Sequence, residues 1–291
     1  MNASDASMNW SALVSAEELV GALERPRLAL IDARFGMGDP AQGERDFVGS
    51  HLHGAVYAHL DRDLSDHSRR GHGRHPLPAA RAFRERLGAW GITPAHQIVV
   101  YDARDGAMAA ARVWFMLRML GHSRVAVLDG GFVRWTQLGL PVSTQAPQPI
   151  AVDYGNGVPI ARLANADELL HPTDADAPML IDVRTAERFR GDIEPLDRVA
   201  GHVPGAINHP LAMNLQADGR FRSANELADE YHTLLGDRSP DEVVMMCGSG
   251  VTACHGLLAM EHAGLFGARL YADSWSGWIS DTSRPIATGA I

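Results

Sequence analysis

Short, unbroken apolar runs that end in a charged or small residue set the rhythm of this chain. Leu28-Ala29-Leu30-Ile31 runs into Asp32-Ala33-Arg34, Ile98-Val99-Val100-Tyr101 into Asp102, Leu180-Ile181 into Asp182-Val183-Arg184, and Val243-Val244-Met245-Met246 into Cys247. Runs of that length without polar alternation suit strands covered on both faces of a parallel sheet. Residues 125–128 read as a further strand, and His51-Leu52-His53-Gly54-Ala55-Val56 as a loop entering a short one. Between them lie helical stretches. Ser15 with Glu18 three positions later is a capping pattern, and residues 79–90, 107–120 and 252–260 carry good helix formers. Strands alternating with helices predict an α/β chain with a mostly parallel sheet flanked by helices.

The pattern occurs twice. Leu180-Ile181-Asp182-Val183-Arg184 echoes Leu30-Ile31-Asp32-Ala33-Arg34. Gly201-His202-Val203-Pro204-Gly205-Ala206-Ile207 echoes the segment around His51, and Asp273-Ser274-Trp275-Ser276-Gly277-Trp278 echoes Gly130-Gly131-Phe132-Val133-Arg134-Trp135. Three matches in one order at a nearly constant offset predict two copies of one module. A Pro-, Gln- and Gly-rich stretch after Leu140-Pro141 joins them.

Bulk numbers narrow the class. A length of 291 residues with 46% hydrophobic content is enough for two medium domains. The net charge of −9, without a lysine- or arginine-rich block, argues against nucleic acid as a partner. Residues 1–10 hold no apolar segment, so no signal peptide is expected. No run approaches the ~18 apolar residues of a membrane span. Two cysteines, Cys247 and Cys254, do not make a disulfide framework, and a reducing cytoplasm is the expected compartment.

The candidate chemistry centres on Cys247. Gly248-Ser249-Gly250 lets the chain curl ahead of a helix, so backbone N–H groups of residues 248–252 and the positive helix end point inward. Such a nest stabilises a thiolate. A lone cysteine before a helix is more often a buried packing residue, but the glycine-rich loop favours the nucleophile here. Cys254 falls two turns into that helix and is expected to pack. The first copy has Asp102 where the second has Cys247, so the copies cannot share one covalent chemistry; Asp102 is expected to cap the helix at 107–120. Ser249 suits either a turn-stabilising hydrogen bond or the reaction. His75 suits proton transfer if a carboxylate fixes its tautomer, or a solvated loop. Arg188 suits a bidentate grip on a carboxylate, or an ion pair with Glu187 or Asp192. Trp278 is expected in the core, and Trp275 either there or at the site wall. His72 and His75 have no further ligand at metal-binding spacing.

Cys247-Gly248-Ser249-Gly250-Val251-Thr252 resembles the active-site loop of the 3-mercaptopyruvate sulfurtransferases, within the rhodanese superfamily. The resemblance covers nearly the whole chain and implies two tandem rhodanese-like domains. The first, at 1–142, would be catalytically inactive; 143–159 would be a linker and 160–291 the catalytic domain. It implies that Cys247 carries sulfane sulfur as a persulfide within the loop formed by Gly248, Gly250, Val251 and Thr252. It implies that Ser249 works with a histidine and an aspartate of the first domain on the substrate thiol proton. Asp61-Arg62-Asp63-Leu64-Ser65-Asp66 followed by His75-Pro76-Leu77-Pro78 puts Asp63 and His75 at those places. Arg188 before Phe189 resembles the family's substrate-binding arginine. The segment up to Arg198 is shorter than the family's and leaves the second such arginine without a clear counterpart.

The implied reaction takes sulfur from 3-mercaptopyruvate, releases pyruvate and delivers the sulfur to a thiol such as that of thioredoxin, or to cyanide. No metal or organic cofactor, nucleic acid or membrane is implied. Thiosulfate is the alternative donor, although the neutral Gly248 and Ser249 favour mercaptopyruvate. A cysteine phosphatase or arsenate reductase needs an arginine at the sixth position after the cysteine, where this chain has Ala253. A non-catalytic sulfur-carrier or regulatory module is the reading from another class.

Overall fold

Two five-stranded parallel sheets organise the chain in a computed structural model that describes residues 8–170 and 177–290. The stretch read above as lacking a signal peptide lies mostly outside the described residues. The first half runs β1 (Leu13–Val14), α1 (Ala16–Val20), β2 (Leu28–Asp32), α2 (Gln42–Gly49), β3 (Val56–Tyr57), α3 (Leu60–Asp63), α4 (Ala80–Ala89), β4 (Gln97–Tyr101), α5 (Ala110–Met119), β5 (Val125–Leu128) and α6 (Gly131–Gln137). The second runs β6 (Leu163–Ala164), β7 (Met179–Asp182), α7 (Ala186–Arg190), β8 (Ile207–Asn208), α8 (Ala224–Leu235), β9 (Val243–Met246), α9 (Ala253–His262), β10 (Arg269–Tyr271) and α10 (Ser274–Trp278). Strand orders are β1-β5-β4-β2-β3 and β6-β10-β9-β7-β8, one topology used twice. The α/β architecture with helices flanking parallel sheets is the expected one. The central strands β4 and β9 are buried along their whole length, as their unbroken apolar runs require.

The repeated motifs hold equivalent joints. Asp32 and Arg34 form a buried ion pair at 2.6 Å, and Asp182 and Arg184 another at 2.7 Å. Each arginine also donates to the start of the returning loop, Arg34 to the Ser50 carbonyl and Arg184 to that of Gly201. His51 and His202 are buried and stack on Phe47 and Phe189, with ring centroids 4.2 and 3.8 Å apart. Trp135 and Trp278 donate their indole N–H groups to the carbonyls of Pro141 and Pro285. Ser15 and Glu18 make the reciprocal cap of α1.

The halves meet through α5 and α9, the helices that follow the two central strands. Phe115 and Leu117 share one apolar core with Leu257 and Leu258. Arg118 reaches across it to Glu261 at 2.7 Å. Residues 139–162 contain no helix. This stretch is strapped to the first half: Val152 donates to the Gly88 carbonyl at 3.0 Å, and the Tyr154 hydroxyl meets His122 at 2.8 Å. Packing of α5 on α9 brings both βα loops, after Tyr101 and after Met246, to one cleft.

Candidate active site

Cys247 follows the last residue of β9 and is 1% exposed. The Gly250 N–H points at its Sγ at 3.2 Å. Gly250 holds φ +74°, and a side chain there would lie 2.1 Å from the Ala272 carbonyl oxygen, so only glycine lets the loop turn back on its sulfur. The loop is tied to α10: Trp275 N–H donates to the Cys247 carbonyl at 3.0 Å and Ser276 N–H to the Gly248 carbonyl at 2.9 Å. Ser274 accepts from the Cys247 N–H at 3.1 Å. It sits at φ +51°, where its counterpart Gly131 has φ +56°, a strained setting for serine that these hydrogen bonds over-determine. The conserved spacing between the two copies of this segment thus anchors each βα loop: Phe132 and Val133 bond Asp102 and Ala103 in the same manner.

The first copy of the loop is filled by its own side chain. The Asp102 carboxylate accepts from the N–H groups of Gly106 at 3.0 Å, Arg104 at 3.2 Å and Met108 at 3.2 Å. Burial, and then the charge of Asp105, raises its pKa to about 6. Asp102 therefore occupies an anion nest ahead of α5 from within, a broader role than the expected helix cap. In the second copy one N–H of the equivalent loop, that of Gly250, points at the thiol.

Ser249 lines the cleft, and its hydroxyl lies 2.8 Å from His75 Nδ1 of the other half. His75 Nε2 lies 3.5 Å from Asp61 Oδ1. This corrects the assignment of Asp63. The Asp63 carboxylate is ion-paired with Arg86 at 3.0 Å and accepts the His59 N–H at 2.8 Å, so it closes the turn of α3. Because α3 is a single helical turn, residues two apart face different sides, and Asp61 is the one that faces His75. The Asp61 carboxylate, which also meets His67 Nε2 at 3.2 Å, favours the tautomer with the proton on His75 Nε2, and that tautomer leaves Nδ1 to accept from Ser249. Burial, opposed by Asp61 and reinforced by Arg74 and Arg112, lowers the His75 pKa to about 4. An NMR titration of the ring is expected to show a midpoint of about 4; a midpoint at the ordinary 6.5 would place the ring in water instead. The unfolded chain binds the extra proton first, so the contribution of His75 to stability is complete above about pH 6.5 and is lost as pH falls toward 4.

Arg188 also lines the cleft, half-buried, as do Gly248, Val251 and Thr252. It pairs with Glu194 at 2.7 Å and Asp197 at 3.3 Å, not with Glu187 or Asp192. Arg198 turns away and donates to the Ile279 carbonyl. Phe35, Leu60 and Met108 supply an apolar wall from the first half. Trp275 and Trp278 are fully buried and belong to the core.

Cys254 is fully buried, donates to the Gly250 carbonyl at 3.4 Å, and is held as a thiol by burial, with its pKa raised to about 12. Arg112, also fully buried, donates to the carbonyls of Gly250 at 3.1 Å and His75 at 2.9 Å. Its charge opposes the burial that raises the pKa of Cys254. Asp61, Arg74, Arg112 and Asp197 are the site residues that sequence reasoning missed. Two arginines inside an otherwise apolar helix, Arg112 and Arg118, are the signal that would have drawn attention to Arg112. Among the described residues no cluster has the makings of a metal site, and no helix is long and apolar enough to cross a membrane.

The chain is similar to known proteins along most of its length. A model described as "Rhodanese-like domain" matches residues 15–138 and again 165–281. A Pseudomonas aeruginosa protein described as "Probable 3-mercaptopyruvate sulfurtransferase" is 42% identical over 97% of this chain and 100% of its own length. The thiosulfate sulfurtransferase of Gallus gallus is 30% identical, over 92% of this chain and 93% of its own. Among solved structures, the 3-mercaptopyruvate sulfotransferase SseA from Escherichia coli superposes with a TM-score of 0.73 at 30% identity, covering 92% of this chain and 100% of that one.

Proposed function

The chain belongs to the rhodanese-like family, with two such domains in tandem, and from that premise we propose that it is a sulfurtransferase in which 3-mercaptopyruvate loads Cys247. The observation that carries this reading is the Ser249–His75–Asp61 array, built from both halves and placed beside a loop with no charged side chain. Mercaptopyruvate brings its sulfur as a thiol, so its transfer needs a group that manages a thiol proton; thiosulfate has none.

In the proposed mechanism Arg188 holds the donor's carboxylate and Ser249 faces its thiol. A neutral His75 draws the proton through the Ser249 hydroxyl, and Asp61 stabilises the imidazolium that forms. The Cys247 thiolate attacks the donor sulfur. The carbon–sulfur bond breaks, its electron pair forms the enolate of pyruvate, and the proton held at His75 returns to that carbon. Cys247 is left as a persulfide in the nest headed by the Gly250 N–H. A second thiolate, such as that of thioredoxin, or cyanide, then takes the outer sulfur and returns the Cys247 thiolate. The cytoplasm is the proposed compartment, supported by two cysteines that are both free thiols.

Thiosulfate is the second reading, supported by the two arginines that border the cleft and by the relative from Gallus gallus. Intact-mass measurement after exposure to each donor separates the two. Mercaptopyruvate is expected to add one sulfur atom, mapped to the peptide containing Cys247, at lower concentration than thiosulfate does. Preferential loading by thiosulfate would make the second reading the function. Loading by neither would leave a binding module.

A further inference from the structure

We infer that Arg74, from the first domain, is the second arm of the clamp that holds the donor's carboxylate, facing Arg188 across Gly248. This rests on the reading of the donor as mercaptopyruvate. Arg74 directly precedes His75, and its loop is docked on the second domain: Arg74 N–H donates to Ser276 Oγ at 2.9 Å, and His72 Nδ1 lies 3.2 Å from Asp273. The side chain therefore enters the cleft from a fixed base.

Asp197 lies between the two guanidinium groups. One of its oxygens takes Arg74 Nη1 at 2.5 Å and the other takes Arg188 Nη2 at 3.3 Å. Glu194 takes Nε and Nη2 of Arg188. That leaves Arg74 Nη2 and Arg188 Nη1 with no hydrogen-bond acceptor among the described residues. Both border one point. A methyl group placed on Gly248 would lie 3.3 Å from Arg74 Nη2 and 3.5 Å from Arg188 Nη1. Two free donors from separate domains thus converge over the residue that separates Cys247 from Ser249. A planar carboxylate matches such paired N–H donors, one oxygen to each arginine, which sets the donor's orientation as well as its affinity. Asp197 and Glu194 balance the two cations and fix their forks before the donor arrives, so little side-chain ordering remains for binding to accomplish. The absence of a side chain at Gly248 keeps the seat open.

The clamp distinguishes donors by their carboxylate, and an analogue without one tests it. Mercaptoacetone keeps the ketone and thiol of mercaptopyruvate and lacks the carboxylate. In Arg74→Gln, KM for mercaptopyruvate is expected to rise about 10- to 100-fold with kcat little changed, while KM for mercaptoacetone stays within about twofold, because only the charged donor loses a charge-assisted hydrogen bond. Arg74→Lys keeps the charge but not the fork and is expected to fall between wild type and Arg74→Gln. Mercaptoacetone, assayed on the same preparation, reports whether the site is intact. Equal losses with both donors, or no loss with either, would overturn the clamp. A wild-type protein that does not load Cys247 from mercaptopyruvate would instead overturn the reading of the donor, and the clamp with it.

Discussion

Cys247→Ser is expected to fold as the wild type does and to lose sulfur transfer altogether. The backbone joints of Cys247 do not involve its sulfur: its N–H goes to Ser274 Oγ and its carbonyl accepts the Trp275 N–H. A serine hydroxyl fits the volume of the thiol and can accept the Gly250 N–H that now points at Sγ. The unfolding free energy should therefore change by no more than about 1 kcal/mol, the range for a near-isosteric exchange. Activity is another matter. The proposed intermediate is a sulfur–sulfur bond, which an alcohol does not form, and a serine at this position has no base of its own, since His75 is engaged with Ser249. Release of pyruvate from mercaptopyruvate should drop by about 10⁴-fold or more, the scale of losing a covalent nucleophile. The added sulfur mass should disappear with it. A serine variant that still gained one sulfur, or still turned over, would remove Cys247 from the mechanism. Cys254 would not substitute for it, being buried and held as a thiol.

How far this could be read from the chain follows from what kind of interaction each feature uses. The parallel sheets were legible because a strand buried on both faces needs an unbroken apolar run, and β4 and β9 have them. The duplication was legible because each repeated motif serves a joint that both sheets need, such as Asp32 with Arg34 and Asp182 with Arg184. Helix α2 was not, since only Gly43 and Phe47 are buried on it and two positions make no period. Helix α8 carries a better signal, a Ser223–Glu226 cap followed by buried Leu227, Tyr231 and Leu235, yet it belongs to no repeated segment. In the site, Cys247, Ser249 and His75 stand out by residue type beside glycine or in a charged loop. Choosing Asp61 over Asp63 required the direction in which a one-turn helix points each side chain. Arg74 and Asp197 meet only because two domains pack as they do, and no periodicity along one chain encodes that meeting.

Arg112→Met is expected to cost both stability and catalysis, through a contact of the same interdomain kind. Arg112 belongs to α5 and is fully buried. Its guanidinium gathers three carbonyls, those of His75 at 2.9 Å and Leu64 at 3.4 Å in the first domain and that of Gly250 at 3.1 Å in the second. It thus sets the spacing between the histidine and the Cys247 loop. Methionine fills most of the volume and donates nothing. With about 1–3 kcal/mol for each buried polar group left without a partner, and partial rearrangement of the three, denaturant unfolding should show a loss of about 3–5 kcal/mol. The Ser249–His75 contact of 2.8 Å is then no longer held from both sides, and misplacement of a catalytic pair by about 1 Å is worth about 10²-fold in rate. Arg112→Lys keeps the charge but cannot reach three carbonyls in one plane, so it should recover part of the stability and less of the rate. A further readout separates loss of charge from loss of fit. The charge of Arg112 is one of the forces holding His75 below its ordinary pKa. In the methionine variant the NMR midpoint of His75 should rise from about 4, whereas in the lysine variant it should stay near it. A methionine variant with unchanged stability, rate and midpoint would show that the two domains hold the site together without this residue.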